Sequence, residues 1–292
     1  MILPAVDRCA ALLALIAGLA AAVPCAVQAA GPSAEELAQA DERKRASLVD
    51  RVDRFTQEID SGRLQGRVLA EVYRYRGIAY SHLKQNERAA EDLSKAIELD
   101  PFSPQYYEDR AIAYLKLREF SRAQTDLAMA LGLDRKRPTA YREEGRLASY
   151  QGEYARAARS FALAMENDHG MGVLYAAIWL HIAVTRGALD APSPLPPYAG
   201  ALPPTQWPAP VVQMLIGTIQ PDQAIALADA LDPDTYQAQK CEAYFYAGEH
   251  YLAQQNKEAG EAAFQAAVAT GVTDFLEYDW ALRELELMRA AQ

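Results

Sequence analysis

The chain has 292 residues, 51% of them hydrophobic and 23% charged, with 16 Gly and 16 Pro. That composition suits one large or two ordinary globular domains and excludes disorder, collagen and a disulfide scaffold. A formal charge of −10 repels phosphate backbones and anionic lipid surfaces, so nucleic acid is not the expected partner.

Residues 1–29 read as an export signal. Arg8 precedes an unbroken apolar run, CAALLALIAGLAAAV at 9–23, too short for a comfortable membrane span. Val27 and Ala29 are the small residues a signal peptidase reads, which predicts cleavage after Ala29 and a periplasmic protein. The other reading is a buried N-terminal helix. Cys25 is where a lipid anchor would be attached, making an outer-membrane lipoprotein. The residues before it, Ala22, Val23 and Pro24, depart from the Leu-Ala-Gly type, which favours a soluble exported protein with membrane contact only if Cys25 is acylated. Once Cys9 and Cys25 are removed with the signal, Cys241 is the sole thiol, read as a small buried hydrophobe or as an intermolecular disulfide partner.

Residues 30–69 carry Leu37, Leu48, Val49, Val52, Phe55 and Ile59 at helical spacing and predict a degenerate leading hairpin or a cap. Between 70 and 171 the chain repeats with a period of 34, in windows 70–103, 104–137 and 138–171. Position 4 reads Tyr73, Tyr107, Tyr141; position 8 Gly77, Ala111, Gly145; position 20 Ala89, Ala123, Ala157; position 24 Leu93, Leu127, Phe161; position 27 Ala96, Ala130, Ala164. Large residues at 4 and 24 with small ones at 8, 20 and 27 predict helical hairpins nesting where side chains are small. The tyrosines then belong to the core rather than to a ligand platform.

Residues 172–240 hold a helix apolar nearly all round (172–185), a segment at 191–210 with eight prolines, and two short helices, Val211–Ile216 and Pro221–Leu231. Trp207 is placed to pin the proline-rich segment down. A fourth window opens at Cys241 and runs to 274, with Tyr244, Gly248, Tyr251, Phe264 and Ala267 in register, and 275–292 predicts a capping helix. The fold class is all-α, a solenoid of helical hairpins.

This pattern resembles the tetratricopeptide repeat. Position 7, usually Leu in that family, is Arg76, Arg110 and Glu144, and position 32 is Pro only at Pro101, with Arg135 and His169 following; both predict looser packing. Trp207-Pro208, the FYAGEHYLAQQNKEAGEAAF hairpin from Phe245 and the AVATGVTDFLEYDWALREL ending from Ala267 are similar to the C-terminal half of the NlpI-type outer-membrane lipoproteins, so the resemblance spans roughly 36–288. It implies a homodimeric adaptor for protein partners, a periplasmic protease or a cell-wall hydrolase. The alternative is a structural homodimer or chaperone-like factor without a dedicated protease.

In tetratricopeptide proteins positions 2, 5, 9 and 12 of first helices line the binding groove. They are Glu71, Arg74, Ile78, Ser81; Gln105, Glu108, Ile112, Leu115; Thr139, Arg142, Arg146, Ser149. The Lys and Asn of the carboxylate clamp used by chaperone-binding relatives are absent, Arg74 and Ile78 standing in their places. Arg142 and Arg146, one turn apart, are read either as a grip for a partner's carboxylate or as solvated charge.

Nothing points to catalysis: there is no G-x-S-x-G, H-E-x-x-H, P-loop or paired C-x-x-C. His82, His169, His181 and His250 lack metal-ligand spacing, and adjacent carboxylates such as Glu143 and Glu144 diverge on a helix. No enzyme activity, cofactor or metal is expected.

Overall fold

The computed structural model describes residues 31–228, 232–273 and 275–290. Among these residues lie thirteen α-helices and no strand, so the all-helical class stands. The signal segment and Cys25 lie outside the described residues.

The leading segment is a single long helix, α1 (Ala34–Asp60). Ser33 starts it through a capping box, its hydroxyl accepting from the Glu36 amide while the Glu36 carboxylate accepts from Ser33 N–H at 2.7 Å. Three hairpins follow: α2 (Gly66–His82) with α3 (Asn86–Leu99), α4 (Pro104–Lys116) with α5 (Phe120–Leu133), and α6 (Pro138–Tyr150) with α7 (Tyr154–Asn167). Pro104 and Pro138 open α4 and α6, where a missing amide hydrogen costs nothing. The helices of each pair nest where the small residues sit. A Cβ on Gly77 would lie 3.1 Å from Leu93, and one on Gly145 only 2.7 Å from the Phe161 ring. Ala111 is fully buried above Leu127 in the middle hairpin.

The turns repeat as faithfully as the packing. Lys84, Arg118 and Gly152 adopt φ of 61°, 58° and 78°, and the amide after each reaches back to the carbonyl of Tyr80, Tyr114 and Ala148. The same turn ends α8 (Met171–Arg186), at Ala188 with φ 46°, and α11 (Pro233–Ala253), at Gln255 with φ 61°. Thus α8 finishes as a first helix does. In place of a second helix the chain runs through the proline-rich segment, with one 3₁₀ turn at Pro196–Tyr198, into α9 (Ala209–Leu215) and α10 (Pro221–Leu227), which pack on α11. Trp207 fastens that segment by donating its indole N–H to Glu242 at 2.8 Å.

Helix α11 begins eight residues ahead of Cys241, which therefore sits in mid-helix, fully buried. It forms the last hairpin with α12 (Lys257–Ala269), where Gly248 meets Phe264, and α13 (Leu276–Ala290) packs on both. Because α1 also touches α11, the first helix and the last hairpin meet. The largest core centres on Trp179, whose ring lies 5.0 to 6.3 Å from those of Trp280, Phe245, Phe161 and Tyr246.

The polar residues at position 7 do not loosen the hairpins. Arg76 forks onto Asp92 at 2.7 and 2.8 Å and reaches Thr56 of α1, while Arg110 forks onto Asp126 at 2.8 Å and reaches Ser94 of the preceding hairpin. In the third hairpin Glu144 accepts from Ser160 at 3.1 Å. Each position-7 side chain is matched by position 23 of the same window, so a buried polar pair replaces the expected leucine contact. Position 32 is held alike with and without its proline: Tyr107 donates to the Pro101 carbonyl at 3.2 Å, and Tyr141 makes the same bond to the Arg135 carbonyl at 3.1 Å.

Candidate functional site

First helices α2, α4 and α6 lie side by side and share the face expected as the groove, the inner face, where charges are largely spent on one another. Glu71 accepts from the Tyr106 hydroxyl at 2.8 Å, and Arg74 pairs with Asp109 at 2.5 Å, tying α2 to α4. Glu108 is buried and held in a fork by Arg137 at 2.8 and 2.6 Å. Arg142 pairs with Asp168 and also donates to Thr139 at 3.2 Å, whereas Arg146 pairs with Glu143 on its own helix. The two arginines therefore grip carboxylates of this chain. Ser81 donates to Asn86, Gln105 accepts from Ser103, and Ser149 is buried. Such cross-ties order the first helices and leave apolar side chains as the accessible feature of the face.

Ile112, Leu115 and Arg146 do converge. With Leu147, Tyr150, Phe120, Lys116 and Glu143 they line a cavity of about 220 Å³ whose far wall is Leu276, Asp279 and Trp280 of α13. That is room for a few side-chain groups of a partner. The α13 wall was not foreseen. Its signal lay in Leu276 and Trp280, one turn apart at the start of α13.

Behind this wall, α8, α11 and α13 enclose two carboxylate pairs. Glu242 accepts from Trp207 and from the Tyr175 hydroxyl at 3.1 Å, and Glu277 accepts from Tyr246 at 2.9 Å. Burial, and then the charge of Glu277, push the Glu242 carboxyl well above the usual range, against the two donors. Burial raises Glu277 as well, opposed by the Arg146 charge and the Tyr246 hydroxyl. The second pair, Glu249 and Glu284, is bridged by Arg186 at 3.2 and 2.9 Å. Burial raises Glu249 despite that arginine.

His181 and His250 share a smaller cavity with Glu249, and burial lowers both imidazoles. Among the described residues no group of three or more His, Cys, Asp or Glu is placed to hold a metal, and no helix is long and apolar enough to cross a membrane. Burial pushes the Cys241 thiol up to about 12, which makes it a packing residue without thiolate character.

The fold and this face define a solenoid of nested helical hairpins, an architecture consistent with a protein-interaction scaffold. Residues 70–103 match the family model of the tetratricopeptide repeat, so the chain carries that repeat there, and the hairpins after it reproduce its turn and contacts. The chain is also similar to solved structures. A tetratricopeptide repeat protein from Parabacteroides merdae is 16% identical, with 87% of this chain and 97% of that one covered at a TM-score of 0.49. The Arabidopsis OM64 TPR domain is 29% identical over 38% of this chain and 93% of its own, at 0.36. The first TPR of Spaghetti (RPAP3), bound to the HSP90 peptide SRMEEVD, is 22% identical over 42% and 97%, at 0.39.

Proposed function

We propose that this chain is a non-enzymatic adaptor of the bacterial cell envelope, exported by its first 29 residues, which holds envelope enzymes or their substrates on its inner face. The observation that carries the reading is the cleft between α4, α6 and α13. There Ile112, Leu115 and Tyr150 remain partly accessible beside the buried Trp280, within a face whose charges are otherwise tied. An apolar pocket with a polar rim suits one anchoring side chain of a protein partner. The likeness of the C-terminal half to NlpI-type lipoproteins supports a periplasmic protease or a cell-wall hydrolase as that partner.

A photo-crosslinker at Ile112 in the full chain, applied to a periplasmic extract, tests this. Capture of a protease or cell-wall hydrolase, abolished by Leu115→Glu, is the expected result; an extract yielding neither above background overturns the adaptor reading. The mass of the mature N-terminus reports both cleavage after Ala29 and the state of Cys25.

A structural homodimer is the second reading, favoured by apolar side chains exposed on the second helices and just after them: Leu99, Phe102, Met129, Leu133 and Leu163. Sedimentation discriminates in part, since a monomer excludes the structural homodimer and leaves the inner face as the main interface.

A further inference from the structure

The cleft between α4, α6 and α13 has an apolar floor and four charged side chains on its walls: Lys116, Glu143, Arg146 and Asp279. Both carboxylates are answered by cations of this chain. Glu143 is buried and accepts from Nη1 of Arg146. Asp279 is pushed above its ordinary range by burial, and the charges of Lys116, Lys84 and Arg118 oppose that rise. A positive group arriving from outside would compete with groups already in place.

Arg146 is not answered in the same measure. Elsewhere in the array an arginine holds its carboxylate side-on, through Nε and Nη2: Arg76 on Asp92, Arg110 on Asp126 and Arg137 on Glu108, at 2.6 to 2.8 Å. Arg146 instead bonds Glu143 through Nη1, and its Nε is buried without an acceptor. Two other buried side-chain N–H groups share that state among the described residues, on Arg156 and Trp179, but neither lines the cleft, and no buried side-chain acceptor does. An orphaned donor on a charged group is costly, and an oxygen entering from solvent relieves it without disturbing the fold. The Arg146 side chain keeps 21% of its surface open, so such an oxygen can approach.

We propose that the cleft recognises a carboxylate beside a bulky apolar residue of the partner. The apolar side chain enters between Ile112, Leu115 and Tyr150. The carboxylate takes the Nε side of Arg146, and Lys116, which lines the same cleft, adds its charge. Its source is the partner's chain terminus or an adjoining Asp or Glu. This rests on the protein-binding reading above and names the chemistry of what enters. Arg146 is position 9 of the third window and Lys116 position 13 of the second, away from Arg74 and Ile78, where chaperone-binding relatives hold a carboxylate. In a chain of net charge −10 the selection is short-ranged, so it lowers the dissociation rate rather than raising the association rate.

The test uses the full chain and fluorescein-labelled hexapeptides that share Gly-Ser-Gly-Ser and end in Glu-Leu amide, Ala-Leu with a free carboxyl, Ala-Leu amide or Lys-Leu amide. One or both acidic peptides should bind about tenfold more tightly than Ala-Leu amide, and Lys-Leu amide no better than it. The leading acid identifies the source of the carboxylate. No acid above the neutral amide, or Lys-Leu amide in front, overturns the proposal. Arg146→Gln should bring the acids down to the neutral amide, and a preference that survives it overturns the proposal too. Should that change strand Glu143 and unfold the chain, Arg146→Gln/Glu143→Gln, which removes both charges, reads the same loss. Crosslinking from Ile112 that captures a protease or hydrolase without any acid preference leaves the adaptor reading intact and removes only this chemistry; acid preference without such capture does the reverse.

Discussion

Gly145 lies directly against the ring of Phe161, with 2.7 Å separating that ring from where a Cβ would be. Gly248 stands to Phe264 in the same way, at 2.5 Å. Where the opposing residue is Leu, the rule relaxes: the second hairpin holds Ala111 over Leu127, and Gly77 has 3.1 Å to Leu93. Positions 8 and 24 therefore act as one volume, shared between a small residue and a large one.

Alanine at Gly145 or Gly248 should accordingly cost about 1–3 kcal/mol by overpacking, beyond the helix propensity alanine gains. Gly77→Ala should lie near zero. Adding Phe161→Leu to Gly145→Ala should recover part of the loss. Urea unfolding of the four variants measures this, and equal effects at Gly77 and Gly145 would remove the shared-volume account.

The buried forks make a second prediction. Arg110→Ala strands the Asp126 carboxylate, whose side chain is 4% exposed, and should cost roughly 2–4 kcal/mol after allowing for the partly exposed arginine. Replacing both residues by leucine restores the apolar contact and should leave stability near wild type. A double-mutant cycle on Arg110 and Asp126 reads the coupling, and a value near zero would make the fork an ornament of the surface.

How far the sequence reveals this molecule follows from which signals are local. The period of 34 and the small-large alternation expose the hairpins, because the same contact recurs along the chain. Arg76 and Arg110 read as departures only while position 7 is considered alone; Asp92 and Asp126, 16 residues on, show the pair. The repeat identity of α8 is hidden because its partner helix is missing, and only the turn at Ala188 betrays it. Least legible was the inner face. Arg142 and Arg146 look free in one dimension, but Asp168 sits 26 residues from Arg142, and the closing wall at Trp280 lies 130 residues from Tyr150.

The turn geometry supplies a third prediction. Gln255 holds a left-handed conformation, φ 61°, that glycine adopts without penalty, as Gly152 does at the equivalent turn. Its side chain is exposed, so Gln255→Gly should raise stability by up to about 1 kcal/mol, net of the entropy glycine adds to the unfolded chain. Gln255→Val should lower it. Thermal melts of the pair decide, and a glycine variant less stable than wild type would show that the turn is not strained.

The carboxylates under α13 predict a pH dependence whose sign is fixed by burial. In the unfolded chain Glu242 gives up its proton near its ordinary value of 4.5; in the folded chain it keeps that proton to about 8. Between those values the folded state binds more protons, so stability falls as pH rises, by up to about 1.4 kcal/mol per pH unit for a single group. Glu249 and Glu277 act in the same sense, whereas His181 and His250, lowered by burial, cost stability as pH drops below their ordinary 6.5. Wild-type chain thus mixes opposing slopes, and the clean quantity is its difference from Glu242→Gln. The amide still accepts from Trp207 but never ionises. The variant should match wild type at pH 5 and exceed it at pH 8 by more than about 1 kcal/mol. Urea midpoints at pH 5, 6.5 and 8 measure the difference, and a gap that stays constant across that range would mean that Glu242 is not held protonated beside Glu277.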